Sequence, residues 1–130
     1  MQFSLLILGA PYSTQSASTA FRFAQAVIDS GHSLYRVFFY HDGVYCANDL
    51  VTAPQDEDNQ PANWSALAEE HNVDLVVCIA SALKRGVIDK AEAQRYEKTT
   101  SNLARGFSIS GLGQLVDASI VSDRVITFGP

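Results

Sequence analysis

Two cysteines, Cys46 and Cys78, are the residues best able to do covalent chemistry in this 130-residue chain. Neither belongs to a CxxC pair, and no His–Cys cluster surrounds them. That spacing argues against structural zinc and against a disulfide scaffold. In a reducing compartment a lone cysteine is either a core filler or a reactive thiol. Cys78 lies toward the C-terminal end of the apolar strand predicted over Leu75–Ala80, just before a predicted helix start. Backbone N–H groups and the positive end of the helix dipole would face it there. Lys84 and Arg85 follow within two turns as candidate electrostatic helpers. Such surroundings favour thiolate, the reactive form. A thiolate can take a sulfur atom from a donor persulfide, and an acceptor thiolate can remove it by the same displacement. Read from the residues alone, the plainer alternative is favoured: Cys78 as one more buried apolar residue, since free Cys is among the most buried types.

The other candidates weigh less. Cys46 follows the second predicted strand, on the same sheet edge as Cys78. It is read as an incidental small residue, with resolution of a Cys78 persulfide as the alternative. Gly9–Thr14 is a strand-to-helix loop that lacks both the GxGxxG and the GxxxxGK[ST] patterns, so its Ser and Thr read as helix caps. The loop is still expected to form a wall of the cleft. His32 and His71 fall near helix ends. His41 lies on a strand-end loop with no assignable partner. Asp56, Glu57 and Asp58 read as a solvated charge run rather than a metal site. Gly111 and Gly113 suit close backbone packing, and Trp64 suits the core or a subunit contact.

The elements that must position these residues alternate strand and helix. Phe3–Leu8 is a continuous apolar run, as in a strand buried on both faces. Ser16–Ser30 has helical spacing and ends at Gly31, which supplies a left-handed cap. Leu34–Tyr40 is the second strand. His41-Asp42-Gly43 turns the chain into a short helix over Val44–Leu50. Ala53–Pro61 (APQDEDNQP) is expected to be a mobile surface loop, and Asn63–His71 a helix. Leu75–Ala80 is the most hydrophobic strand and is expected to be central, with Ser81 capping a short helix after it. Asp89 and Glu92 have capping-box spacing and open a helix to about Glu97. Thr99–Gly106 is a polar connection, Phe107–Ser110 a short strand, Leu112–Ile120 a helix and Arg124–Phe128 the last strand. The expectation is a single α/β domain over residues 1–130, with a doubly wound, flavodoxin-like parallel sheet of about five strands and helices on both faces. Chemistry in such sheets sits beyond the C-terminal strand ends.

Composition bounds the function. Hydrophobic residues make up 47% and charged residues only 18%, a surface sparing enough in charge to suggest cover by partner subunits. The net charge of −5 and pI near 4.9 argue against direct gripping of nucleic acid. The N-terminal apolar run is shorter than a membrane span and lacks a basic leader, so a cytoplasmic protein with no membrane contact is expected.

Four stretches carry a family resemblance: Gly9–Ser18 (GAPYSTQSAS), Arg36–Val44 (RVFFYHDGV), Leu75–Asp89 (LVVCIASALKRGVID) and Ser108–Ser119 (SISGLGQLVDAS). With them the chain resembles the DsrE-like family, nearly end to end, in its DsrE and TusD type of subunit. The resemblance implies the parallel-sheet fold and a cysteine that accepts sulfane sulfur, at the position of Cys78. It reverses the weight given to that residue above. It also implies a heterohexamer with two smaller homologues, TusB-like and TusC-like, a TusA-like sulfur donor and a TusE-like acceptor. No metal or organic cofactor is implied, because the persulfide is the carried group. The end use implied is 2-thiouridine at the tRNA wobble position, or sulfur oxidation in the DsrE-like case. Cys46 departs from the family pattern, where Asn or another polar residue is expected. Two other readings compete: a non-catalytic assembly subunit, which needs no reactive Cys78, and a flavodoxin-like ligand binder, which the missing phosphate loop disfavours.

Overall fold

The computed structural model describes residues 1–130. Strand β1 (Gln2–Ile7) feeds helix α1 (Ser16–Asp29), and β2 (Ser33–Phe39) follows. A 3-10 helix (His41–Ala47) leads toward α2 (Gln60–His71) and β3 (Asp74–Cys78). Two short helices, α3 (Ile79–Lys84) and α4 (Lys90–Arg95), precede β4 (Phe107–Ser110). Helix α5 (Gly113–Val121) and β5 (Arg124–Phe128) complete the chain. No helix is long and apolar enough to cross a membrane.

The expected parallel sheet is present, with strand order β4-β3-β2-β1-β5 and every pair parallel. The chain adds strands in one direction through β4, then returns to the free edge of β1. The central strand is therefore β2. The LVVCIA strand lies one place from the edge, although it is the more hydrophobic sequence, and it stops at Cys78. Right-handed crossovers put α1, α2, α3 and α4 on one face and leave α5 alone on the other. The burial follows. A core of 22 buried residues joins Leu5, Ile7, Val37, Phe39, Leu75 and Val77 of the strands to Ala17, Ala20 and Ala24 of α1 and Trp64 and Leu67 of α2. Trp64 is fully buried, edge-on to Phe21 and Phe39. The other face buries a smaller hydrophobic cluster of three residues, Phe38, Val76 and Cys78.

Local chemistry sets the boundaries. Gly31 adopts φ 84° and lets the His32 N–H return to the Val27 carbonyl at the end of α1. The 3-10 helix starts three residues before the expected helix because His41 turns left-handed and Gly43 lies against the Ile7 carbonyl, where any Cβ would collide. Helix α2 also starts three residues early. The Asn59 side chain accepts the Ala62 N–H, and Pro61 suits the first turn, which has no need of its N–H. Asp89 caps α4 through the Glu92 N–H, as its spacing predicts.

Candidate active site around Cys78

Strand becomes helix at Cys78 with no intervening loop. The residue keeps extended backbone angles (φ −62°, ψ 122°), and α3 begins at Ile79. Successive strand side chains point to opposite faces. Val77 enters the large core, and Cys78 projects toward the thinly covered face. There it meets Phe38 and Val76, with Leu6, Tyr40 and Leu115 half-buried around them. In register it lies opposite Ser110 of β4. The residue is 3% exposed. The thiol is thus at a C-terminal strand end, in a small cluster against which Leu6, Tyr40 and, from α5, Leu115 pack.

Tyr40 is held from behind. Its ring is edge-on to Phe38 and stacks on His41, with centroids 4.2 Å apart and planes at 20°. His41 sits at φ 49°, a conformation that is uncommon for a non-glycine residue. Its N–H donates to the buried Ser81 Oγ at 3.1 Å. Arg85 Nη1 donates to the Ser81 carbonyl at 3.2 Å, and Arg85 Nε donates to Asp42 Oδ1 at 2.8 Å. One network therefore ties the segment that carries Tyr40 to the helix that follows Cys78. Two expectations change. Ser81 is inside α3 and holds His41; it is not the cap. Arg85 is engaged with Asp42 and Ser81, and Lys84 lines a cleft with Leu83, Ile88, Tyr96 and Lys98, so neither cation bonds to Cys78.

Cys46 is fully buried in the large core, and burial pushes its thiol up to about 12. Cys78 belongs to the cluster on the other face, and both thiols are free. Cys46 is a core residue, and the reading in which it resolves Cys78 is not supported. The loops of residues 9–14 and 53–61 are joined to each other by Tyr12. Its hydroxyl donates to the Asp58 carbonyl at 2.6 Å and accepts the Gln60 N–H at 2.9 Å. Neither loop contributes to the apolar cluster round Cys78, where Leu6, Tyr40 and Leu115 pack instead. A cleft of about 500 Å³ lined by residues of α1 and α2, Phe21 and Leu67 among them, shares no residue with that cluster either.

The histidines stay dispersed. His32 Nδ1 meets the N-terminal amine at 2.9 Å, and His71 lies beside Glu70. No three His, Cys, Asp or Glu side chains are grouped to hold a metal. Sequence reasoning missed Tyr40 and Leu115 as residues packed against the Cys78 cluster. The alternation Phe38-x-Tyr40 carried a signal for the first, because Tyr40, still extended just past the end of β2, falls on the same side as Phe38. The second depends on how α5 crosses the sheet, which local spacing does not contain.

The chain matches the DsrE/DsrF-like family over residues 1–128. It belongs to that family. Its relatives agree with the placement. It is 46% identical over 129 residues to an Allochromatium vinosum protein named "Putative sulfurtransferase DsrE", covering 99% of both chains. The crystal structure of the ychN protein from E. coli superposes with a TM-score of 0.74 at 26% identity, over 98% of this chain and 100% of that one. In this DsrE/DsrF-like chain, Cys78 is the thiol at a strand end and Cys46 the thiol sealed in the core. Of the two, Cys78 is the one that a shift of a few side chains would open to a partner.

Proposed function

We propose that this chain is a sulfur-relay subunit that accepts sulfane sulfur on Cys78 as a persulfide and passes it to an acceptor protein. The observation that carries this reading is the placement of Cys78: at a C-terminal strand end, against the first turn of α3, in a small cluster rather than in the main core. The 46% identity to a relative named for sulfur transfer supports it. In the first exchange the Cys78 thiolate attacks the outer sulfur of a donor persulfide. The donor S–S bond breaks, the donor leaves as a thiolate, and Cys78 gains one sulfur. In the second exchange an acceptor thiolate attacks that outer sulfur and Cys78 leaves as thiolate. No oxidant or cofactor enters, because each step exchanges one S–S bond for another.

The end use we propose is 2-thiouridine formation at the tRNA wobble position. The chain would work in the cytoplasm as the TusD-like member of a heterohexamer, between a TusA-like donor and a TusE-like acceptor. Likeness to DsrE supports a second end use, sulfur oxidation. The two are separated by deleting the gene in its host and measuring 2-thiouridine in digested tRNA. Loss of the modified base, restored by wild type and not by Cys78→Ser, is expected. Unchanged 2-thiouridine with lost oxidation of reduced sulfur would support the second. A Cys78→Ser chain that restores whichever pathway is lost would overturn the carrier role and favour an assembly subunit.

A further inference from the structure

All three lysines of the chain, Lys84, Lys90 and Lys98, lie within fifteen residues of one another, beside Arg85 and Arg95. Five of the nine basic residues therefore fall on α3, α4 and their flanks, in a chain whose net charge is −5. The two arginines have carboxylate partners, Asp42 for Arg85 and Glu92 for Arg95. None of the lysines has one, and all three are exposed. Of the local carboxylates, Asp89 caps α4 and Glu92 is buried, which leaves Glu97 exposed. Lys84 and Lys98 flank a cleft of about 400 Å³ whose other lining residues are Leu83, Ile88 and Tyr96. Tyr96 is 53% exposed. Two unpaired ammonium groups at an apolar floor with an exposed tyrosine recognise a definite chemistry: an acidic protein segment that presents one apolar or aromatic side chain. The cleft opens on the same short helix that starts at Cys78. Lys84 is six residues beyond Cys78 in the chain, about 9 Å of axial rise at 1.5 Å per residue, in the helix layer on the other side of the sheet from the thiol.

We propose that this cleft is the docking surface for the acidic protein that exchanges sulfur with Cys78. The side chain of that partner seats on Leu83, Ile88 and Tyr96, and its carboxylates face Lys84 and Lys98. Lys84 thus acts on the partner rather than on the thiol. The inference rests on the carrier reading of Cys78 for its purpose, though not for its detection. Two synthetic peptides test it, each with one cysteine persulfide and one phenylalanine. The first has four glutamates around the phenylalanine, and the second has glutamines in their place. Sulfur transfer to Cys78 is followed by intact mass, and binding of the persulfide-free forms by fluorescence anisotropy. The acidic peptide is expected to load Cys78 roughly tenfold faster at low salt, an advantage of electrostatic steering that closes at high salt. The advantage is also expected to vanish in Lys84→Gln/Lys98→Gln, with the glutamine peptide's rate unchanged. Equal rates and equal binding for the two peptides on the wild-type chain would overturn the docking surface. Salt-sensitive binding of the acidic peptide that the lysine variant abolishes supports it, even where neither peptide loads Cys78. That last outcome would instead count against the carrier reading.

Discussion

Cys78 and Cys46 are both buried, but in clusters of very different size, and that difference predicts their reactivity. Cys46 is sealed in the 22-residue core with a thiol pushed up to about 12, so it should resist alkylation in the native state. Cys46→Ser places a hydroxyl in that core without a designed partner and should cost about 2 kcal/mol in denaturant titration. Cys78 sits in a three-residue cluster against which Tyr40 and Leu115, both half-buried, pack. Under the proposed carrier role, a donor protein displaces part of that packing to reach the thiol. Tyr40→Ala should speed iodoacetamide labelling of Cys78 several-fold while Cys46 stays unlabelled, whereas Tyr40→Phe should leave the rate alone. Ser81→Ala removes the hydroxyl that holds the His41 N–H and should raise the labelling rate roughly fivefold, the factor that one net hydrogen bond is worth. The strand-end position of Cys78 was legible in the sequence through the apolar run that precedes it. Its surroundings were legible only in part: the Phe38-x-Tyr40 alternation marks Tyr40, just past the end of β2, but Leu115 reaches the cluster only through the way α5 crosses the sheet.

At the scale of elements, α5 is the lone helix on its face, and one buried residue fastens it. Arg36 donates to Asp74 at 2.7 Å, to Asp117 at 2.8 Å and to the Gln114 carbonyl at 2.9 Å. Burial opposes the Arg36 charge, and the bonds to Asp74 and Asp117 outweigh it. The hydroxyl of Tyr35 donates to Asp117 at 2.6 Å. That hydrogen bond, then the one from Arg36, holds the Asp117 carboxyl below its usual range, and the same bond raises Tyr35. The signs give a window. The Asp117 contribution is full above the unfolded value of about 3.9 and is lost as pH falls through the lower folded value. The Tyr35 contribution is full below about 10 and is lost as pH rises through the higher folded value. Amide exchange of α5, corrected for the intrinsic rate, should therefore be most protected between those limits, and Asp117→Asn should flatten the acid side. A flat profile in the wild type would contradict the fastening role. At the other end of the sheet, Gly43→Ala should cost about 2 kcal/mol, because its Cβ meets the Ile7 carbonyl and backbone must shift. Strands were legible to within one or two residues from their apolar runs, and β4 and β5 were placed without error. The 3-10 helix and the start of α2 were not, since a left-handed His41 and an Asn59 cap with Pro61 override the hydrophobic spacing that marked those segments.

For the whole molecule, the low content of charge has a location. Leu112, which leads into α5, and Val116, Ile120 and Val121 of α5 are all exposed, Ile120 at 76%. They lie on or next to the helix that covers the face holding Cys78. The proposed hexamer gives this surface a use: Val116→Lys/Ile120→Lys should weaken assembly with the partner subunits in sedimentation velocity while leaving the isolated fold intact. The fold class was legible in the strand–helix alternation, and the sparse charge hinted at covered surface. The strand order was not, because local hydrophobicity marks β3 as central while the topology makes β2 so.

The central claim is that Cys78 carries sulfur. It is tested most directly by intact mass of the assembled protein after incubation with a cysteine desulfurase, cysteine and a TusA-like donor, comparing wild type with a Cys78→Ser chain of matched thermal stability. A gain of one sulfur atom in the wild type, removed by reductant and absent from Cys78→Ser, is the predicted result. A wild-type mass that does not change, or the same gain in Cys78→Ser, would contradict it.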